Sequence, residues 1–319
     1  MGVTQRINHS NNSSRTAMEI LNLEELLQPI SEAAPSGSDQ SATPQYLQAI
    51  EAMREDDPTI SRQPWEEVKA AEWGKAERLC EELLSKKTKD LTVAFWYTDA
   101  LLRTHGLAGL SEGLQLVSGI IDQFWDTFHP QLSEPNDLYR RMNVVMKFMN
   151  KFNEKLGLIP ITKPSAGDSK PYTWANYNEA SYVDKLPAND QKAAVENGRA
   201  TTALFAASLK STPNDFILQL NDATEQLSDI VKNMESVLVE HCEALRESLD
   251  EKSDADVSFS VVHESLDIFL QFSQRQIKER GLRKPEPAKQ VTAQNADDSR
   301  NGVQSSGGIS GGYAMGPGM

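Results

Sequence analysis

Between Glu72 and Leu132 the chain carries three amphipathic patterns in close succession, and three apolar stripes crowded into so short a stretch demand packed helices. Ala76, Leu79, Cys80, Leu83 and Leu84 fall on one face of the first, and Leu91, Ala94, Phe95, Thr98, Leu101 and Leu102 on one face of the second. Leu110, Leu114, Val117, Ile121, Phe124 and Phe128 keep three-four spacing through the third. Asp90 is placed to cap the second helix, because its short carboxylate accepts from orphan amides of the first turn. Gly106 and Gly109 predict a short turn into the third helix, and Pro130, lacking an amide hydrogen, predicts its end. Gly113 and Gly119 sit inside that third helix, where glycine costs about 1 kcal/mol relative to alanine. Close approach of another helix explains them better than a bound ligand does.

On either side of this core the same period recurs. Ile20, Leu23, Leu26 and Leu27 predict a short helix ended by Pro29, and Tyr46, Leu47, Ile50 and Met53 predict another. Residues 31–39 are loop chemistry, and Pro64 suits a first helical position before Trp65 and Val68. Leu138, Met142, Val145, Met149, Phe152 and Leu156 form a further stripe, capped by Asn136 or Asp137 and ended by Gly157 and Pro160. A loop over 159–173 leads to a shorter helix bearing Trp174, Tyr177 and Ala180, then to an alanine-rich helix from Gln191 to about Leu209.

Beyond Pro213, Phe216, Leu220, Ala223, Leu227, Ile230, Met234, Val237, His241, Leu245 and Leu249 hold the spacing long enough for a coiled-coil-like helix. A polar break at 250–254 precedes a return stripe of Phe259, Val262, Leu266, Phe269 and Ile277, so the pair predicts a long antiparallel hairpin. From Gly281 onward too few apolar residues remain to offset the cost of ordering the chain. The fold expected is all-α, without the period-two alternation of strands. It divides into a disordered leader at 1–17, a helical domain at 18–180, an extension with the long hairpin at 181–280 and a disordered Gly/Ser-rich tail at 281–319.

The 319 residues include 32 Lys and Arg against 46 Asp and Glu, a net charge of −14. Such a surface repels nucleic-acid phosphates and anionic lipid headgroups. No apolar run is long enough to span a bilayer, and the polar residues 1–17 lack the apolar core of a secretory signal. Cys80 and Cys242, isolated on helical stripes, suit free thiols in a reducing compartment, so the expected location is cytoplasmic.

Catalytic templates are missing: there is no phosphate-binding glycine loop, no dinucleotide fingerprint, no nucleophile elbow and no HExxH. Residues 9, 105, 129, 241 and 263 are histidines too scattered for a zinc site. No catalytic, cofactor-binding or metal-ligating residue is therefore assigned. His129, one turn after Asp126, reads as a closure of the helix C-terminus rather than a general base. His241 reads as a seam histidine on the long helix. Trp65, Trp73, Trp96, Trp125 and Trp174 read mainly as core with the indole nitrogen at its edge, a partner groove being the alternative. Trp96, with Tyr97, is expected to face a second helix layer or a partner.

Trp73, the run Lys89-Asp90-Leu91 with Ala94 and Trp96, Ala100-Leu101-Leu102-Arg103, Gly106, Ala108-Gly109-Leu110, Gly113-Leu114 and Phe124-Trp125-Asp126-Thr127-Phe128-His129-Pro130 carry a resemblance. In order and spacing they are similar to the N-terminal domain of the TssA/ImpA family of bacterial type VI secretion proteins. Pro35, Gly37 and Asp39 stand where that family carries a Pro-x-Gly-x-Asp element, with Ser38 in place of its frequent acidic residue. The family-like sequence begins at Met18, which makes residues 1–17 a leader or an upstream start. The resemblance implies a non-enzymatic assembly component that binds baseplate, tail tube and sheath proteins. Self-association through the hairpin stays open. The chain ends where longer members add a ring-forming domain, so that activity is not carried over. A helical small-ligand-binding protein, or an enzyme with no recognisable motif, is the alternative.

Overall fold

The computed structural model describes residues 20–55, 69–132, 137–165, 169–249 and 257–283. The leader, the tail from 284, Pro64, Trp65, Val68, the proposed cap Asn136 and the polar break at 250–254 lie outside them. The fold is all-α, and the described residues form no sheet, only three isolated bridges.

Helix α1 (Leu23–Leu26) is capped by the Asn22 side chain, which accepts from the Glu25 amide. Helix α2 (Pro44–Met53) starts on the Thr43 hydroxyl with proline in its first turn. Its buried face is not the one that hydrophobicity picks out. Ala49 and Ala52 are buried while Leu47 and Ile50 are 55% and 41% exposed. Ala52 meets Ala76 of helix α3 (Trp73–Lys86) and Ala100, and side chains that small let helices approach closely, which turns the larger residues outward.

Helix α4 runs Leu91–Phe124, with one residue out of helical conformation, Gly106 at φ 65° and ψ −140°. That left-handed region is nearly free for glycine and costly for other residues. There the chain folds back on itself, so the run holds two antiparallel helices. Asp90 caps the first, its carboxylate accepting from the Thr92 and Val93 amides at 2.7 and 3.2 Å. Gly109 is not a turn residue. It lies past the fold-back, where a Cβ would run into the Leu101 carbonyl. Gly113 similarly lies on Thr98 and Gly119 on the Leu27 side chain, so helix contact explains both. The helix ends at Phe124, before Pro130. Phe128 remains fully buried, its amide donating back to the Phe124 carbonyl at 2.8 Å.

The stripe from Leu138 to Leu156 is continuous but occupies two helices, α5 (Asp137–Met149) and α6 (Phe152–Gly157). Helix α7 (Trp174–Val183) begins with a capping box between Thr173 and Asn176. The single alanine-rich helix expected over 191–209 is two, α8 (Ala188–Glu196) and α9 (Thr202–Ser211). Gly198 at φ 86° closes the first, and the Thr201 hydroxyl starts the second by accepting from the Leu204 amide at 3.2 Å.

Helices α10 (Asn214–Leu249) and α11 (Ser260–Glu279) form the antiparallel hairpin, with Ser273 against Asn221 at one end and His263 against Glu235 at the other. The buried spine of α10 is rotated by about one position from the stripe read in the sequence. Ile217, Leu220, Leu227, Val231, Met234, Leu238 and Cys242 are buried, whereas Phe216, Ala223, Ile230, Val237 and Leu245 only flank the core. On α11, Phe272, Ser273 and Gln276 are buried and Ile277 is half-buried. Glu235, which looks like an exposed charge off the stripe, accepts from the Phe259 amide and from His263 Nε2, each at 2.6 Å, and so caps α11. Helix α10 also lies along α4, where Asn233 Nδ2 donates to Ser118 Oγ at 3.2 Å. Trp174, Tyr177, Phe205, Phe269 and Phe272 make one aromatic cluster that joins α7 and α9 to α11. The main apolar cluster therefore runs from Leu21 to Phe272, with Ala52, Ala76 and Ala100 packed in a smaller one.

Candidate functional site

The residues of Lys89–Leu91 and Phe124–Pro130 meet where the start and the end of α4 come together. Three loops join there: residues 34–39, 87–91 and 125–130. The Lys89 amide donates to the Ser36 carbonyl at 2.8 Å, the His129 amide to the Lys89 carbonyl at 2.9 Å and the Leu91 amide to the His129 carbonyl at 2.9 Å. Ser36 Oγ and Thr127 Oγ1 are 2.7 Å apart. A Cβ on Gly37 would strike the Lys87 carbonyl, so the loop lies flat against the end of α3 only with glycine there.

Two cations are buried in this junction. The Lys89 ammonium, with no exposed surface, donates to the Leu26 carbonyl at 2.6 Å and the Leu84 carbonyl at 2.8 Å, and lies 5.6 Å from the Phe124 ring centre. Both carbonyls belong to the last turns of helices, α1 and α3, where no intrahelical donor reaches them and a positive charge is favoured. Arg141 of α5, 1% exposed, donates to the carbonyls of Pro130 at 2.7 Å, Phe128 at 2.8 Å and Trp125. Its guanidinium stacks 3.8 Å from the Phe128 ring centre, clamping the turn after α4. Lys89 stands in the Lys89-Asp90-Leu91 run of the resemblance, where nothing marks it as buried, and Arg141 lies outside the quoted motifs. The signal for Arg141 was its register, three residues after Leu138 and four before Val145 on a face that is otherwise buried.

Burial pushes the Lys89 amine down to about 8. Because the folded state holds this proton less tightly than the unfolded chain, with its ordinary value near 10.4, the unfolded state carries the extra proton between those two values. The contribution of Lys89 to stability therefore rises with pH across that window, by on the order of 3 kcal/mol in full. A neutral amine keeps two donors for the two carbonyls. Thermal melts of the native chain and of Lys89→Met at pH 7 to 10 are expected to show the native chain gaining on the variant as pH rises. A difference that stays flat would mean that the amine is not depressed.

His129 is buried and its Nε2 is 3.4 Å from the Gly37 carbonyl, while Asp126, one turn earlier, is exposed. The two do not form a pair. The His129 ring instead adds a small downward pull on the Asp39 and Asp90 carboxyls. Burial raises the Asp90 carboxyl, against the opposing pull of the Val93 and Thr92 amides and of His129. His241 stacks on Trp125, ring centres 4.5 Å apart and 7° from parallel. Trp96 is half-buried against Tyr46 of α2, so it faces a second helix layer, and Tyr97 is buried. Trp125 and Trp174 are core, and Trp73 lies under the Arg103 guanidinium. Cys80 and Cys242 are free and buried, and burial lifts the Cys80 thiol to about 12. Among the described residues no three His, Cys, Asp or Glu side chains gather as a metal site, and no helix is long and apolar enough to cross a membrane.

What remains open to a partner is surface. A cleft of about 550 Å³ separates α4 from α10, lined by Gln115, Ser118, Asp122, Asp229, Ile230 and Asn233 among others. Large apolar side chains are exposed on several helices, among them Leu47 and Ile50 of α2 and Val261 and Ile268 of α11.

The model of the family described as ImpA, N-terminal, type VI secretion system matches residues 27–150, the segment that contains the junction. The type VI secretion system component TssA1 of Pseudomonas aeruginosa is 31% identical over 121 residues, which are 37% of this chain and 34% of that protein. The match thus spans about a third of the curated relative's length. A solved structure, the N-terminal domain including the conserved ImpA_N region of the TssA component from Burkholderia cenocepacia, is similar at a TM-score of 0.68 and 28% identity. The likeness covers 85% of this chain and 99% of that one. It reaches well beyond the core motifs that first carried the resemblance. The resemblance to the TssA/ImpA family of type VI secretion proteins thus holds in sequence over residues 27–150 and in fold over most of the chain.

Proposed function

We propose that this chain acts by binding rather than by catalysis, as an assembly component that engages baseplate, tail tube and sheath proteins of the secretion machine. The observation that carries the reading is the likeness to nearly the whole of a TssA N-terminal domain. It is supported by how the shared motifs are spent: Lys89, Asp90, His129 and the turn held by Arg141 are joined to one another and to helix ends. Side chains committed to such hydrogen bonds hold the scaffold in shape, and the exposed helix faces are what a neighbour would meet.

Affinity capture from the native host, read by mass spectrometry, is expected to recover baseplate, tube or sheath proteins. Alongside it, His129→Gln is expected to lower secretion only as far as it lowers the melting temperature, since glutamine can still bond to the Gly37 carbonyl but cannot act as an imidazole base. A well-folded His129→Gln protein with secretion abolished would overturn a purely binding role. Glu243, exposed on α10, is the suitable charge-reversal site on the hairpin. Glu235 is not, because its reversal would remove the cap of α11.

A further inference from the structure

The charge of this chain is unevenly placed. Residues 138–170 hold seven of its 32 basic residues and two of its 46 acidic ones, and from Leu138 to Asn153 there is no carboxylate at all. Helix α5 turns one face inward through Leu138, Met142, Val145 and Met149, with Arg141 clamped beside them. The opposite face follows the helical period. Arg140, Asn143, Lys147, Asn150 and Lys151 are all exposed, and Tyr139 at its head is 64% exposed. Lys147 in the last turn favours the helix dipole, but Lys151 lies just beyond the end of α5 and does not serve it in that way. Neither lysine forms an ion pair among the described residues.

We propose that this face of α5, continued by Asn150 and Lys151 in the turn after it, is a docking surface for an acidic segment of a partner protein. From Arg140 to Lys151 the stripe is about 16 Å long, room for three turns of a partner helix or about five extended residues. Carboxylates one helical turn apart on such a segment meet Lys147 and Lys151, while Tyr139 offers an aromatic face at one end. At about 0.15 M salt, charges are screened beyond about 8 Å, so the stripe governs contact while the net charge of −14 slows approach. A nucleic acid is the poorer occupant. Its phosphates continue past the ends of so short a stripe onto an acidic surface, whereas an acidic stretch of protein ends where its sequence ends. The inference holds whichever secretion component supplies the segment, and also if the assembly role fails.

The test uses the full chain and a fluorescein-labelled oligoglutamate of about ten residues, followed by anisotropy at about 0.05 and 0.3 M salt. Binding is expected at the lower salt and should weaken at the higher. The double variant Lys147→Glu/Lys151→Glu is expected to bind at least about tenfold more weakly. The control Lys192→Glu/Lys232→Glu makes the same change in net charge at exposed sites on α8 and α10, and should lose less than about threefold. All four lysines are exposed, so melting temperatures check that each variant is folded. Absence of binding, or equal losses in the two double variants, would overturn the proposal. So would stripe-dependent binding of a single-stranded DNA oligonucleotide or of anionic vesicles that matches or exceeds that of oligoglutamate.

Discussion

Replacing Arg141 with leucine is expected to cost about 3–5 kcal/mol of folding free energy, because three buried carbonyls lose their donors at roughly 1–3 kcal/mol each. The side chain is 1% exposed and holds three carbonyls, those of Trp125, Phe128 and Pro130, in a turn whose other backbone bonds run to Lys89 and Leu91. Leucine keeps the apolar contact with Phe128 but leaves those carbonyls without their donors, and each buried polar group left unpaired costs roughly 1–3 kcal/mol. Lysine is not an adequate substitute, since a single ammonium cannot reproduce the planar fork that reaches all three. Arg141→Lys should therefore recover only part of the loss. Urea unfolding of the two variants measures this directly. A loss below about 1 kcal/mol for Arg141→Leu would mean that the turn is held by its other contacts.

Phe124→Ala should be similarly costly, about 3–5 kcal/mol, against the ~5–15 kcal/mol that stabilises a typical domain. Phe124 ends α4, is 6% exposed and follows Val117 and Ile121, which have no exposed surface. Its ring also stands 5.6 Å from the Lys89 ammonium. Truncation opens space for water beside that amine, so the variant should lose part of the rise in stability expected between pH 8 and 10. The two effects separate a packing role from an electrostatic one. A large loss in stability with an unchanged pH profile would show that Phe124 fills the core but does not keep Lys89 dry.

Most of the helices were legible in the sequence because the apolar stripe of a helix is local information. Residues three and four apart share a face whatever the helix packs on, and α3, both halves of α4, α5, α7, α10 and α11 lie where that period put them. The Asp90 cap was legible for the same reason, as its partners are two and three residues away. The break between α8 and α9 was written in Gly198 and Thr201, a stop and a start that the run of alanines obscured.

What tertiary structure alone decided was set by residues distant in sequence. Ala52, Ala76 and Ala100 come together from three helices, and only their meeting explains why Leu47 and Ile50 face outward. Gly109 is small because Leu101 crosses it, and Glu235 is a cap because the Phe259 amide, 24 residues on, arrives beside it. The buried cations are the clearest case. Composition places lysine and arginine at the surface, yet Lys89 and Arg141 are interior because helix ends and a turn bring them carbonyls that nothing else satisfies. A stripe records how much apolar surface a segment must bury. It does not record which segment will bury it, or which backbone groups that encounter leaves in need of a charge.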